Sequence, residues 1–388
     1  MSSLQQTILK IILIITAAVV FLHVPLPLST GLGTGDFRPY WSSTFLLAHG
    51  QDYGDPSKMY YIERTMTEWN GPSTMYAWFA PTGNVALLPF VMFPFARAAQ
   101  YWFFTNIVIM YCSALLIWRN TNKEHIWLPL VATFGFSKTL LALSFGQVNT
   151  LVVLGLALFL FFSERRSTFA SGMSLVLTTI KPHLVILTLP LLLLDSARRK
   201  EWRALASFAG ALIGCTFVLF LLYPRWPFSF WNVVTSGVNI IRETPTLNGL
   251  LVIAGEKTWG KWLWVIGLFL AVAGWRHYGK RWDRRTLIDI SLIAGIIVSP
   301  FGWSYDQVML LFPMLRVLGW MTNGSLARNH GIAVALVLII TEVITYYQRI
   351  LSVSDVWFFW TPFVMMAVYW FAWRHRQTDH FVPATQVA

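Results

Sequence analysis

The sequence is poor in charge. Only 12% of its 388 residues are Asp, Glu, Lys or Arg, against about 25% in an ordinary soluble domain. That scarcity excludes a solvated surface over most of the chain, because folded soluble proteins keep their charged residues in water. Cysteine is scarcer still. Cys112 and Cys215 are the two present, and both fall inside apolar runs, so no disulfide framework is expected. No His/Cys grouping has metal-ligand spacing, and no metal site is assigned. The sequence also lacks a Walker loop, a Gly-rich dinucleotide turn and a Ser-His-Asp signature. No cofactor is expected, although a divalent-metal requirement stays open.

What fills the sequence is apolar. Hydrophobic residues make up 56% of it, and runs of about 15 to 22 residues recur, each close to the length that crosses a bilayer. The fold class is therefore an all-α polytopic membrane protein. A net charge of +12 invites a nucleic-acid reading. The basic residues instead cluster in short loops between apolar runs, which is the positive-inside pattern. No nucleic-acid partner is expected, and membrane lipids are. Lys10 followed by an apolar run could mimic a signal peptide. Without a clear small-residue cleavage site it reads as a retained first helix, 8–24.

Loop charges set the expected topology. Residues 29–80 carry Asp36, Asp52, Asp55, Glu63 and Glu68 against Arg38, Lys58 and Arg64, and a net-negative loop of this kind reads as external. Residues 81–97 contain Pro89 and Pro94, so a re-entrant or interfacial helix is expected there. Helices follow at 100–118, 126–143 and 148–162. Two short arms, 169–180 and 184–194, join at Lys181-Pro182-His183 between the basic pairs Arg165-Arg166 and Arg198-Arg199. At 1.5 Å per residue each arm reaches roughly 18 Å into a core about 30 Å thick. Helix 204–222 leads to a second external segment, 223–260, and further crossings lie at 261–276, 286–298, 308–320, 331–347 and 356–373. The expectation is a single membrane domain over 1–388, with about twelve crossings and both termini cytoplasmic.

On that topology Asp36, the turn 144–149, Lys181 and the turn 303–306 all open toward the external side. Each has a plain reading too. Asp36 is a solvated loop acid or a helix cap, and Lys181 snorkels to a headgroup. His183 is a hydrogen-bonded core histidine. Gln147 and Asn149 are turn residues, and Asp306 caps the helix that follows it. The functional reading starts from Lys181, since a charge at bilayer depth must face a cavity or a partner. Sugar transfer from a lipid phosphate needs one base for the acceptor hydroxyl and one cation for the departing phosphate. It does not need the second carboxyl of a glycosidase. Asp36 and Lys181 match those roles. A transporter or flippase using the same two residues is the alternative, although no repeated halves are visible.

Several short motifs carry a resemblance. Asp36 with Tyr40 is followed by Gly50-Gln51-Asp52-Tyr53, Pro81, Leu88-Pro89, Trp102 and Asn106. Then come Gly146-Gln147-Val148-Asn149, Lys181-Pro182, and Ser299-Pro300 with Tyr305-Asp306. In this order they resemble the polytopic GT-C glycosyltransferases of family 87, which use polyprenyl-phosphate sugars as mannosyl or arabinosyl donors. The resemblance implies a GT-C-like helix bundle in the bacterial inner membrane with its active site facing outward. It implies inversion at the anomeric carbon, Asp36 as general base and a lipid or cell-envelope glycan as acceptor. Lys181 becomes the phosphate contact, with His183, Gln147, Asn149, Tyr305, Asp306, Arg38 and Tyr40 lining the donor pocket. Phe37-Arg38-Pro39 and Phe301-Gly302-Trp303 depart from the pattern by their bulk.

Overall fold

The protein is described by a computed structural model over residues 33–119, 125–238, 243–256, 258–279 and 282–376. Among these residues every regular element is helical. The nearest thing to a strand is an isolated bridge between Leu326 and Arg376. The expected first helix, 8–24, lies outside the described residues.

Four helices are long and apolar enough to cross a membrane: Phe95–Arg119, Trp202–Leu222, Arg328–Ile350 and Asp355–His375. Trp202–Leu222 shows why a bilayer is needed. Only 11% of its apolar window is covered by protein, and Ile213, Phe217 and Leu221 stand exposed. Lipid is the environment that suits such a face.

The continuous helix expected over 126–143 is broken. Trp127–Gly135 and Ser137–Ser144 meet at 67°, and counted together they make a fifth candidate span. The proline-bearing stretch also stops short. Thr82–Leu87 runs into a 3-10 turn, Leu88–Met92, and the backbone turns extended at Phe93 before the next helix begins. Eleven residues reach only roughly 16 Å as α-helix. The 169–194 hairpin is likewise tightened into 3-10 turns, Val176–Ile180 and Pro182–Val185, on either side of Lys181.

The described chain divides into two compact units. Among the described residues the first takes 33–109, 141–150 and 213–238. Its helix Phe37–Ala48 packs on Pro56–Thr67, Thr82–Leu87 and Leu88–Met92. Aromatic rings fill that core. Phe37 stacks on Trp102 and Phe95 at 5.8 and 6.0 Å between centroids, and the Trp41 indole donates to the Phe90 carbonyl at 3.2 Å. The bulk of Phe37 is thus core packing. Polar ties supplement the rings: Ser43 and Thr44 both donate to the Asn84 side-chain oxygen. The Gly50-Gln51-Asp52-Tyr53 motif is structural too. Asp52 accepts from the Gly54 N–H and the Ser229 hydroxyl, and a Cβ on Gly54 would lie 2.4 Å from the Ser229 carbonyl.

Among the described residues the second unit takes 110–119, 125–140, 151–212, 243–256, 258–279 and 282–376. Its hub is Arg284–Val298, which packs on Thr188–Arg198, Leu263–Tyr278, Leu311–Thr322 and Thr361–His375. Ion pairs fasten the hub. Arg316 reaches Asp283 and Asp289 at 3.0 Å each, and the Tyr369 hydroxyl donates to Asp289. Arg284 joins Asp195 and Glu201, while Arg198 and Arg199 close on Asp195 as well. Several charges of the basic loops are therefore spent on acidic partners.

The same unit holds the amino end of the broken helix. Glu342 accepts from the Ser137 backbone N–H at 2.9 Å, filling one of the donors that a helix start leaves open. Lys138, 1% exposed, lies 3.8 Å from the same carboxylate. Removing one partner of a buried pair leaves the other charge stranded, at about 3 kcal/mol or more. Glu342→Ala is expected to lower stability by about 3 kcal/mol in thermal unfolding in detergent. Glu342→Gln, which keeps an acceptor for Ser137, is expected to fall between Glu342→Ala and wild type.

Candidate active site

In the first unit the site is built by two turns that meet. Gly33 donates to the Ser144 carbonyl at 2.6 Å, and Asp36 donates its backbone N–H to Phe145 at 2.9 Å. Contact this close needs a glycine at 146. Gly146 adopts φ +67°, and a Cβ there would fall 2.4 Å from the Gly33 carbonyl. The Trp102 indole then donates to the Gly146 carbonyl at 2.8 Å.

That packing delivers Gln147 to Asp36. The Gln147 side-chain amide donates to the Asp36 carboxylate, and the Tyr40 hydroxyl donates to the Gln147 amide oxygen at 3.1 Å. Asp36 stands at the start of helix Phe37–Ala48 but makes no side-chain cap. The plain reading of this acid as a helix cap therefore fails. The carboxylate is half-buried, whereas Gln147 is fully buried and Tyr40 is 3% exposed. Asn106 and Thr150, neither given a role from sequence chemistry, hold the Gln147 main chain. Asn106 donates to its carbonyl at 3.2 Å, and Thr150 donates to the Asn106 side chain.

Arg38 points elsewhere. Its guanidinium donates to the Thr67 carbonyl at 3.2 Å and lies over the rings of Trp69 and Phe95. Asn149 is buried at the first residue of helix Asn149–Glu164.

In the second unit Lys181, His183, Tyr305 and Asp306 come together. The Lys181 ammonium is 3.2 Å from Asp306, and both side chains are buried. It also lies 5.1 Å from the Tyr305 ring centroid, a cation–π distance. His183 Nε2 is 3.6 Å from the other Asp306 oxygen, too long for a hydrogen bond, and its ring packs 4.5 Å from Phe301. Asp306 does act as a cap, accepting the Trp303 N–H at 3.1 Å, so the plain reading and the ionic one are both present. A small cleft beside this cluster is lined by His183, Pro245, Thr246, Ser299, Phe301 and Trp303. The bulky Phe301-Gly302-Trp303 turn thus forms a wall of the cleft. Arg349 and Asp355 brace that turn through Ser304, and their separation from it in the sequence hides this role.

Chemically, the first cluster presents an oriented carboxylate, and the second presents a cation paired with an acid. The apolar helices make this a membrane-embedded helical protein. A family profile, glycosyltransferase family 87, matches residues 78–300, more than half of the 388 residues. The chain belongs to glycosyltransferase family 87 and is a glycosyltransferase. The matched stretch contains Gln147, Asn149, Lys181 and His183, while Asp36, Arg38, Tyr40, Tyr305 and Asp306 lie outside it. No curated protein and no solved structure matches the chain.

Two outcomes follow from these contacts. Lys181→Met takes the ammonium away from the buried Asp306 and is expected to destabilise by about 3–5 kcal/mol in detergent melts. Adding Asp306→Asn, which keeps an acceptor for Trp303, is expected to recover more than half of that loss. The second concerns Glu63, which accepts from Thr74 and from the Met75 N–H beside Arg38. Burial pushes its carboxyl up to about 7 from 4.5, against those hydrogen bonds and the Arg38 charge. The fold therefore favours the protonated form. Its contribution is complete below about pH 4.5 and is lost as pH rises through 7. The Tm of wild type relative to Glu63→Gln is expected to fall between pH 5 and pH 8.

Proposed function

We propose that this glycosyltransferase moves a hexose or pentose, with mannose first among the candidates, from polyprenyl phosphate to a lipid or cell-envelope glycan acceptor. The reaction inverts the anomeric carbon. Asp36 takes the proton of the acceptor hydroxyl as its oxygen bonds to the anomeric carbon, and the bond to the phosphate oxygen breaks. The lipid phosphate departs with the electron pair. A phosphate leaves without being protonated first, so one carboxylate is enough, where a glycosidase needs two.

The observation that carries this reading is the state of Asp36. It is a carboxylate that neither caps its own helix nor pairs with the neighbouring arginine, which is turned to Thr67. A neutral amide holds it, and that contact orients the carboxylate for the role of base. Lys181 is the proposed phosphate contact, with His183 and Tyr305 beside it. Asp306 pairs with the cation in a low-dielectric setting where electrostatic stabilisation is strong. The proposed setting is the bacterial inner membrane, with about twelve crossings, both termini cytoplasmic and Asp36 facing outward. The net-negative first segment and the basic loops support that orientation.

The test is transfer by the purified protein in lipid, using radiolabelled polyprenyl-phospho-mannose and then a pentose donor. Wild type is expected to label a lipid or glycan acceptor. Asp36→Asn, still folded, is expected to lose at least about 100-fold in kcat. An Asp36→Asn enzyme as fast as wild type removes Asp36 from the chemistry.

A further inference from the structure

The proposed function asks for a base at Asp36 and does not say what aims it. We infer that Gln147, backed by Tyr40, is the positioning residue that fixes the Asp36 carboxylate for proton removal. This rests on the reading of Asp36 as the base.

The polarity of the chain is forced from one end. A carboxylate accepts hydrogen bonds and donates none, so the Gln147 NH2 faces Asp36. The amide oxygen then faces Tyr40, and the phenol must donate to it. Every link in Tyr40, Gln147 and Asp36 therefore runs in one direction, and each bond polarises the next.

The far end is anchored. The Tyr40 ring meets Phe79 edge-on at 4.8 Å. The Gln147 main chain is fixed by Ala142, to whose carbonyl it donates at 2.9 Å, and by Asn106 from the other side. The φ +67° glycine beside it leaves little freedom of approach. A donor to one carboxylate oxygen sets the rotation of the whole group, and with it the direction from which the acceptor hydroxyl must come. An amide does so without adding charge. A lysine or arginine in its place would aim the carboxylate as well, but would weaken it as a base by favouring its ionised form.

Gln147 is fully buried, and both ends of its amide have protein partners. A sugar hydroxyl has no exposed surface of Gln147 to bind. Its effect on transfer is assigned through Asp36.

The test measures kcat, KM for donor and acceptor, and the pH profile of kcat/KM for six variants, Asp36→Asn among them, each with a melting control. Gln147→Leu is expected to lose on the order of 100-fold in kcat with both KM values within about twofold. Gln147→Glu sets a second carboxyl against Asp36, and the acidic limb is expected to move up by about one pH unit or more. Tyr40→Phe is expected to lose less than Gln147→Leu. The strongest readout is a length exchange: Asp36→Glu with Gln147→Asn is expected to be at least about tenfold more active than Asp36→Glu alone, since the total span is conserved. A purely packing role for Gln147 predicts no such rescue.

If Asp36→Asn is inactive while Gln147→Leu keeps wild-type kcat and pH profile, the positioning role is wrong and the base stands. A Gln147→Leu enzyme with raised donor KM and unchanged kcat makes Gln147 a donor ligand and overturns the inference. If Asp36→Asn is fully active, base and positioning role fall together. Should Gln147→Leu fail to fold, the Gln147→Glu profile and the length exchange decide.

Discussion

The approach of Gly146 to the Gly33 carbonyl is the constraint on which the first cluster depends. Any side chain at 146 would need both a left-handed backbone and space that the Gly33 carbonyl already occupies. Because the position is glycine, the turn 144–147 can lie against 33–36 and exchange two backbone hydrogen bonds with it. Gln147 then arrives at Asp36 from a turn more than a hundred residues away. Phe37, Phe95 and Trp102 hold the same turns from beneath as a stacked aromatic core. The polar site is thus rigid because its floor is apolar and close-packed.

A different rule governs charges set deep in the second unit. Lys181 meets Asp306, Lys138 meets Glu342, and Arg316 meets Asp283 and Asp289. An unpaired ion in such surroundings costs several kcal/mol, and each of these three cations is found with an acid. Three of these four acids also do backbone work. Asp306 accepts the Trp303 N–H, Glu342 the Ser137 N–H and Asp283 the Thr286 N–H. Helices broken within an apolar layer leave open donors, and these carboxylates answer that need and the charge together.

Much of this was legible beforehand, and the failures have physical causes. Apolar runs announced the helices, and the short arms around Lys181-Pro182 announced a break, which appears as two 3-10 turns. The break at Phe136 was not legible, because Gly135 and Ser137 are tolerated within an apolar run and the partner that stabilises the kink, Glu342, is some two hundred residues distant. Lys138 satisfied the same criterion as Lys181, a charge inside an apolar stretch, but a single polar residue does not reveal a bend. Arg38 is a different case. The resemblance put it in the donor pocket, and its guanidinium turns to Thr67 and Trp69, a direction that its place beside Asp36 in the sequence does not reveal. The family profile begins at residue 78, so Asp36 is argued from its contacts and not from the match.

Those contacts make the contrast between the two acids informative. Asp306 is bound to a lysine, faces a histidine and caps a turn; each of these interactions stabilises its negative form and makes it reluctant to take a proton. Asp36 is met by an amide dipole, which orients a carboxylate while adding no positive charge. A group that must collect a proton from a sugar hydroxyl needs direction more than it needs neutralisation. By that criterion Asp306 serves the cation, and Asp36 is the acid we propose as the base.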